Sequence, residues 1–251
     1  MTYLYLILFF ILGLVFASFL NAQMYRWQKG YKVKKLLILP SQCESCGKKL
    51  KWYELIPVIS YIFQKGECGK CKKKISIYHP ISELFLGISF ALLFYKDVPW
   101  YMYIVLCFLF MMSNWDYVVM GVPKILAHIL LSFTCLIYLL KYFNEGYTFA
   151  IESGLLLGVL FSVVFMLMNL FYKKKKAFGI GDMFVILAVC MTLTWRQAII
   201  FIFSSVILAS VYGVVYAIKN KRDLKFHVPF VIFLTIGFIL SQGLALRLLF
   251  L

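Results

Sequence analysis

Two aspartates stand where an apolar chain least favours charge. Asp116 lies in "SNWDYVVMGVPK", and Asp182 lies in "AFGIGDMF", directly after the lysine run 173–176. A carboxylate at the edge of hydrocarbon costs roughly 3 kcal/mol unless it is paired. Taken alone, either aspartate reads first as a helix cap or an interfacial partner of a lysine. Brought together, they would do acid–base chemistry. Like charges a few ångströms apart cannot both ionise, so the pair shares a proton and titrates as a unit. The ionised member draws a proton from water, and the protonated member polarises a carbonyl. Gly179 and Gly181 permit a close-packed approach to the second aspartate. Pro123, beyond the first, suits the start of the next helix.

A second group of residues has metal-binding spacing. Cys43/Cys46 and Cys68/Cys71 form two C-x-x-C pairs separated by 21 residues. Two-residue spacing turns both thiolates of a pair toward one ion, and four thiolates suit tetrahedral zinc. The alternative is redox-active or unliganded thiols. A disulfide framework is disfavoured for a loop expected in the reducing cytosol. Cys107, Cys135 and Cys190 fall in apolar runs and read as small packing residues.

The elements that must position these groups are membrane helices. Hydrophobic residues make up 63% of the 251, and only 14% are charged; mean hydropathy is +0.90. Ordinary soluble domains are about half apolar. The runs lack the alternation of barrel strands, so each span is read as helical. Spans are expected at 3–24, 80–95, 99–118, 123–142, 149–171, 180–194, 197–218 and 228–249. The segments 80–95 and 180–194 fall short of the roughly 20 residues that cross a bilayer, so tilted, re-entrant or sub-surface placement is expected for them. The first run lacks a basic n-region and exceeds a signal-peptide h-region, so it reads as a retained span. Carboxylates near the spans are few: Glu83, Asp116, Glu152 and Asp182. No internal repeat is evident.

Of the 26 lysines and arginines, 22 fall in alternate loops, at 26–79, 124, 173–176 and 219–225. By the positive-inside rule those loops are cytoplasmic and both termini lie outside. The net charge of +16 then reflects topology and anionic headgroups, and nucleic-acid binding is the weaker reading. The expected fold is an all-α polytopic membrane protein of about eight transmembrane helices with a small cytoplasmic zinc-knuckle insertion. Its parts are a first span (1–25), a tetracysteine domain (26–79) and a transmembrane core (80–251). Both aspartates fall at the cytoplasmic face.

The order of several short motifs resembles the type IV prepilin leader peptidases along nearly the whole chain. "ASFLNAQMYR" at 17–26 is similar to the family's first motif. "SQCESC", "ELIPVISYIFQKGECGKC" and "ISIYHPISELFLG" follow as its tetracysteine domain and the Y-P-x-x-E-L segment. "WDYVVMGVP" and "GIGD" are similar to its two aspartate motifs. The resemblance implies that Asp116 and Asp182 are a catalytic dyad and that Cys43, Cys46, Cys68 and Cys71 are zinc ligands. It implies cleavage, at the cytoplasmic face of a bacterial cell membrane, of the short basic leader of a prepilin or pseudopilin, after a glycine. Members often then methylate the new amino terminus with S-adenosylmethionine, and Glu83 and Gly87 match the E-L-x-x-G segment tied to that activity. Read from the residues alone, Glu83 is a carboxylate favoured by a helix N-terminus. The chain departs from the family pattern at Lys124, where Asp is common, at Phe184, where Lys is common, and at "MYRW". No Rossmann-type glycine fingerprint is present, so methyl transfer rests on the resemblance.

Two other classes were weighed. An ion-coupled transporter would use the carboxylates as a relay and would cut no peptide. A membrane-tethered nucleic-acid binder would use the basic cysteine loop and show salt-dependent binding. Neither accounts for the spacing of both aspartate motifs.

Overall fold

The computed structural model describes residues 2–31, 39–146, 153–171, 179–220 and 228–244. The lysines at 32–35, 173–176 and 221–225, Glu152 and the end of the last expected span lie outside the described residues. Among the described residues the chain is helical, with isolated β-bridges and no strand. The helices are α1 (Thr2–Gln28), α2 (Ile59–Phe63), α3 (Tyr78–Tyr95), α4 (Trp100–Val119), α5 (Lys124–Glu145), α6 (Leu155–Phe171), α7 (Ile180–Cys190), α8 (Trp195–Asn220) and α9 (Phe230–Leu244). All but α2 coincide with the expected spans.

Four helices, α1, α4, α5 and α8, are long and apolar enough to cross a membrane, and α6, α7 and α9 are shorter apolar helices. The short segment expected at 180–194 is helical for only 11 residues, about 16 Å at 1.5 Å per residue. That is about half the hydrocarbon thickness. Helix starts follow local chemistry. Pro99 and Pro123 precede α4 and α5 as their N-caps, where a missing N–H and a fixed φ suit a helix entry. Exposed side chains along α1 include Leu4, Ile7, Leu8, Ile11 and Val15, a stripe that only a lipid solvent tolerates.

The chain packs as two compact units, Met1–Val98 and Pro99–Leu251. In the first, α1 and α3 pair as a hairpin, with the cysteine module inserted between them. Their crossing rests on glycine. A Cβ on Gly13 would lie 2.7 Å from the Leu86 carbonyl oxygen and 2.8 Å from the Gly87 Cα. A Cβ on Gly87 would lie 2.9 Å from the Leu14 Cδ2. Small residues let the backbones approach, which is how helices associate where no hydrophobic effect operates between them. Two turns further along α1, the buried Asn21 donates to the Ser82 hydroxyl at 2.8 Å. Gly13→Val should therefore destabilise the hairpin by about 1–3 kcal/mol through overpacking. Thermal unfolding in detergent checks this, with Gly243→Val, in α9 where no atom lies within 4 Å, as the control.

In the second unit α9 packs against α4 and α8, and α7 against α5 and α6. Gly154 and Gly158 admit the end of α7. The Gly154 N–H donates to the Leu193 carbonyl at 2.7 Å, and a Cβ on Gly158 would meet the Cys190 Cβ at 2.7 Å.

Candidate active site and cysteine cluster

Asp116 ends α4 within its last turn and is 5% exposed. Its Oδ2 accepts a hydrogen bond of 3.1 Å from the Val231 N–H. Val231 is in the first turn of α9, where backbone N–H groups have no helical partner and the helix dipole favours negative charge. A clasp one turn below fixes the two helices. The Ser113 and Thr235 hydroxyls hydrogen-bond each other, one donating to the other, and the one that accepts donates to a helical carbonyl, Leu109 at 2.8 Å for Ser113 or Val231 at 2.9 Å for Thr235. The carboxylate is thus positioned by α4 and braced by α9.

Asp182 sits in the first turn of α7. Its Oδ2 accepts from the Gly179 N–H at 3.2 Å, satisfying an end-of-helix donor. The glycine between them has a steric reason to be glycine. A Cβ on Gly181 would lie 2.7 Å from the Val122 Cβ. The amino end of α7 therefore presses directly on the loop that follows Asp116, and the two aspartate motifs meet. The Asp182 carboxylate lies within electrostatic reach of Asp116. Asp116 and Asp182 thus stand on neighbouring segments, each near enough to feel the other's charge.

Two of the three departures from the resembled pattern also sit here. The Phe184 ring, where the family commonly has lysine, packs against the His128 ring with centroids 5.3 Å apart. His128 Nδ1 lies 2.6 Å from the carbonyl oxygen of Lys124, the other departure. An aromatic pair thus lines α5 and α7 beside Asp182 at that position.

The four cysteines come together as spacing foretold. Their sulfurs all lie within 4.8 Å of one another, and the Cys43 and Cys71 sulfurs are 4.0 Å apart. Tetrahedral Zn–S bonds of about 2.3 Å set sulfurs about 3.8 Å apart, so the donor set fits one zinc ion. Backbone N–H groups of Cys71 and Lys70 pull the Cys68 thiol down to about 6, which favours the thiolate a metal needs.

The module also contains a repeat that sequence reading missed. In the first knuckle the Cys43 N–H donates to the Lys48 carbonyl and the Gly47 N–H to the Cys43 carbonyl, both at 2.9 Å. In the second, Cys68 pairs with Lys73 and Lys72 with Cys68 in the same pattern, both at 3.0 Å. The bridges Gln42–Lys49 and Glu67–Lys74 close them alike. "QCESCGKK" and "ECGKCKKK" align without a gap, the signal that was available. The fifth position of each cysteine turn has positive φ: +68° at Gly47 and +57° at Lys72. Lysine there is strained and glycine is not. Lys72→Gly should stabilise the module by about 1 kcal/mol and Gly47→Ala should weaken it by a like amount. Rates of zinc loss to a chelator, slower and faster respectively, check this. Glu54 ties the knuckles to the following turn, accepting from Lys48 Nζ at 2.7 Å and the Lys51 N–H at 2.9 Å. The Lys48 ammonium holds its carboxyl below the usual range.

Glu83 is buried in α3, where its carboxylate accepts from the Val58 N–H at 2.7 Å and bonds the Ser18 hydroxyl. It lies in the second turn of that helix, near its amino end. A cleft of about 280 Å³ opens between the hairpin and the cysteine module, lined by Asn21, Arg26, His79 and Glu83 among others. Gly87 lies elsewhere, in the α1–α3 crossing.

Residues 11–96 match the family described as the bacterial peptidase A24 N-terminal domain. The prepilin leader peptidase/N-methyltransferase of Vibrio cholerae is 27% identical over 191 residues, covering 72% of this chain and 75% of the relative. That of Neisseria gonorrhoeae is 27% identical, covering 86% and 84%. That of Bacillus subtilis is 38% identical over 85 residues, about a third of each chain. No solved structure matches the chain. Residues 11–96 thus carry the match to this amino-terminal domain, and over most of its length the chain is similar to prepilin leader peptidase/N-methyltransferases.

Proposed function

We propose that this protein is a membrane-embedded aspartic endopeptidase that removes the short basic leader of a type IV prepilin or pseudopilin, working at the cytoplasmic face. The observation that carries the reading is the contact of Gly181 with Val122, which joins the two aspartate motifs. Asp116, braced by the Val231 N–H, is assigned as the carboxylate that takes the proton from water. Asp182 is assigned as the acid that polarises the scissile carbonyl and keeps its proton, while Asp116 passes the proton taken from water to the leaving amine, so that the dyad ends as it began. The four cysteines hold a structural zinc ion that folds a loop too small and too basic to build its own core.

The second activity printed in the relatives' name, amino-terminal methylation, is assigned to the first unit. Glu83, Asn21 and Arg26 present carboxylate, amide and guanidinium to the cleft, groups able to hold S-adenosylmethionine, which supplies an electrophilic methyl. Gly87 serves this site from a distance, by letting α3 approach α1 so that Glu83 reaches Val58.

Incubating the purified full chain with a synthetic prepilin and S-adenosylmethionine tests both activities at once, because leader loss and a methyl gain are separate mass changes. Glu83→Gln should leave cleavage within about threefold of the parent while methylation falls at least tenfold, since removing a hydrogen-bonded charge costs roughly 1.5–3 kcal/mol. Equal loss of both masses would join Glu83 to the peptidase and refute two separate sites.

A further inference from the structure

The cysteine module exposes apolar side chains that neither zinc binding nor peptide cleavage explains. Trp52 is 77% exposed, Ile62 66% and Phe63 84%. They come from the turn Trp52–Leu55 and the short helix α2, which pack together. A water-facing loop pays for such a patch in solubility.

Depth tells what covers it. The Val58 N–H, directly before α2, is bonded to the Glu83 carboxylate at 2.7 Å. Glu83 lies in the second turn of α3, a helix of 18 residues. That helix packs along α1, which is long and apolar enough to cross a membrane, and Ser82, next to Glu83, is bonded to Asn21, seven residues before the end of α1. The second turn of α3 therefore lies near the level where α1 leaves the hydrocarbon, and α2 lies at the same level. Val58 accepts a left-handed backbone, φ +61°, to turn α2 there; a β-branched residue adopts this only when held. Charge on the flanks is complementary to lipid phosphate. Lys51 and Lys65 are exposed, and the Lys51 ammonium stands 5.7 Å from the Tyr53 ring centroid. Aromatic rings beside lysines are the composition of a headgroup-level anchor.

We infer that Trp52–Lys65 is a membrane-interface anchor: Trp52, Ile62 and Phe63 enter the headgroup–acyl boundary of the adjacent leaflet, and Lys51 and Lys65 meet anionic phosphates. The anchor fixes the height of the cysteine module over the bilayer, and its existence does not depend on the peptidase assignment.

The test uses the full chain in vesicles of phosphatidylethanolamine and phosphatidylglycerol. A photoreactive benzophenone side chain is carried at position 63 in one preparation and at position 70, exposed in the second knuckle, in another. After irradiation, mass spectrometry should find lipid adducts several-fold more abundant at 63 than at 70. Replacing phosphatidylglycerol by phosphatidylcholine should reduce the adducts at 63. Equal lipid labelling at the two positions overturns the anchor. So does cross-linking at 63 to a second copy, or to an added prepilin peptide, in place of lipid. Either result would make the patch a protein-docking surface.

Discussion

Asp116→Asn and Asp182→Asn should each lower leader cleavage by about 10³-fold or more, the scale of a lost general acid or base. The double variant should be little worse than either single one, because the carboxylates act as a unit. Asparagine separates chemistry from architecture at both positions. Its amide oxygen can still accept from the Val231 N–H at position 116 and from the Gly179 N–H at position 182. The braces of α9 and α7 therefore survive while the shared proton is lost. Melting temperatures in detergent should stay close to the parent's. Asp116→Ala should instead lose both function and the bond to α9, costing about 1 kcal/mol like other lost helix caps. Cleavage by the parent should fall on both sides of a pH optimum, since one carboxyl must be charged and the other not. The measurement is cleavage of a prepilin in proteoliposomes, with melting of each variant alongside. Substantial turnover by either asparagine variant would remove that residue from the mechanism and favour a proton-relay transporter.

The parts of this molecule legible in the sequence are those written within one segment. Apolar run length located eight of the nine described helices, because lipid leaves a buried backbone few alternatives. Cysteine spacing located the metal site, because C-x-x-C geometry is set by a single turn. Proline and glycine marked starts: Pro99, Pro123 and Gly179 are the N-caps of α4, α5 and α7. What stayed hidden depends on partners far apart in the chain. Nothing in "HVPFV" marks Val231 as the donor to a carboxylate 115 residues earlier. Gly13 looked like one apolar-run residue among many until its approach to Leu86 and Gly87 was seen. Glu83 had two readings from sequence, and neither foresaw its bond with the Val58 N–H, 25 residues earlier. The length of α7 was misjudged by a few residues for a related reason. The apolar run continues to 194, but the chain leaves the helix at Cys190 to bridge Ser153 with Thr194.

Gly181→Ala is expected to have the second largest effect, although it removes no functional group. The added Cβ would stand 2.7 Å from the Val122 Cβ, closer than carbon atoms can approach, and Val122 is a short branched side chain with no flexible end to swing aside. Either the amino end of α7 or the loop after α4 must move by several tenths of an ångström to an ångström. Such a shift changes the spacing of Asp182 from Asp116, and misplacement of about 1 Å costs on the order of 10²-fold in rate. The loss should appear in kcat rather than in substrate affinity, because the groups that contact the leader are untouched. Folding should persist, since Gly181 is at a helix end and only part-buried. Val122→Gly removes the opposing carbon, so adding it to Gly181→Ala should restore much of the lost rate. The single Val122→Gly variant should lose little beyond what a looser loop costs. A coupling between the two positions of at least about 1 kcal/mol in transition-state stabilisation is the expected outcome of that cycle. Additive effects would mean that the contact does not set the distance between the aspartates, and the joining of the two motifs would lose its structural cause.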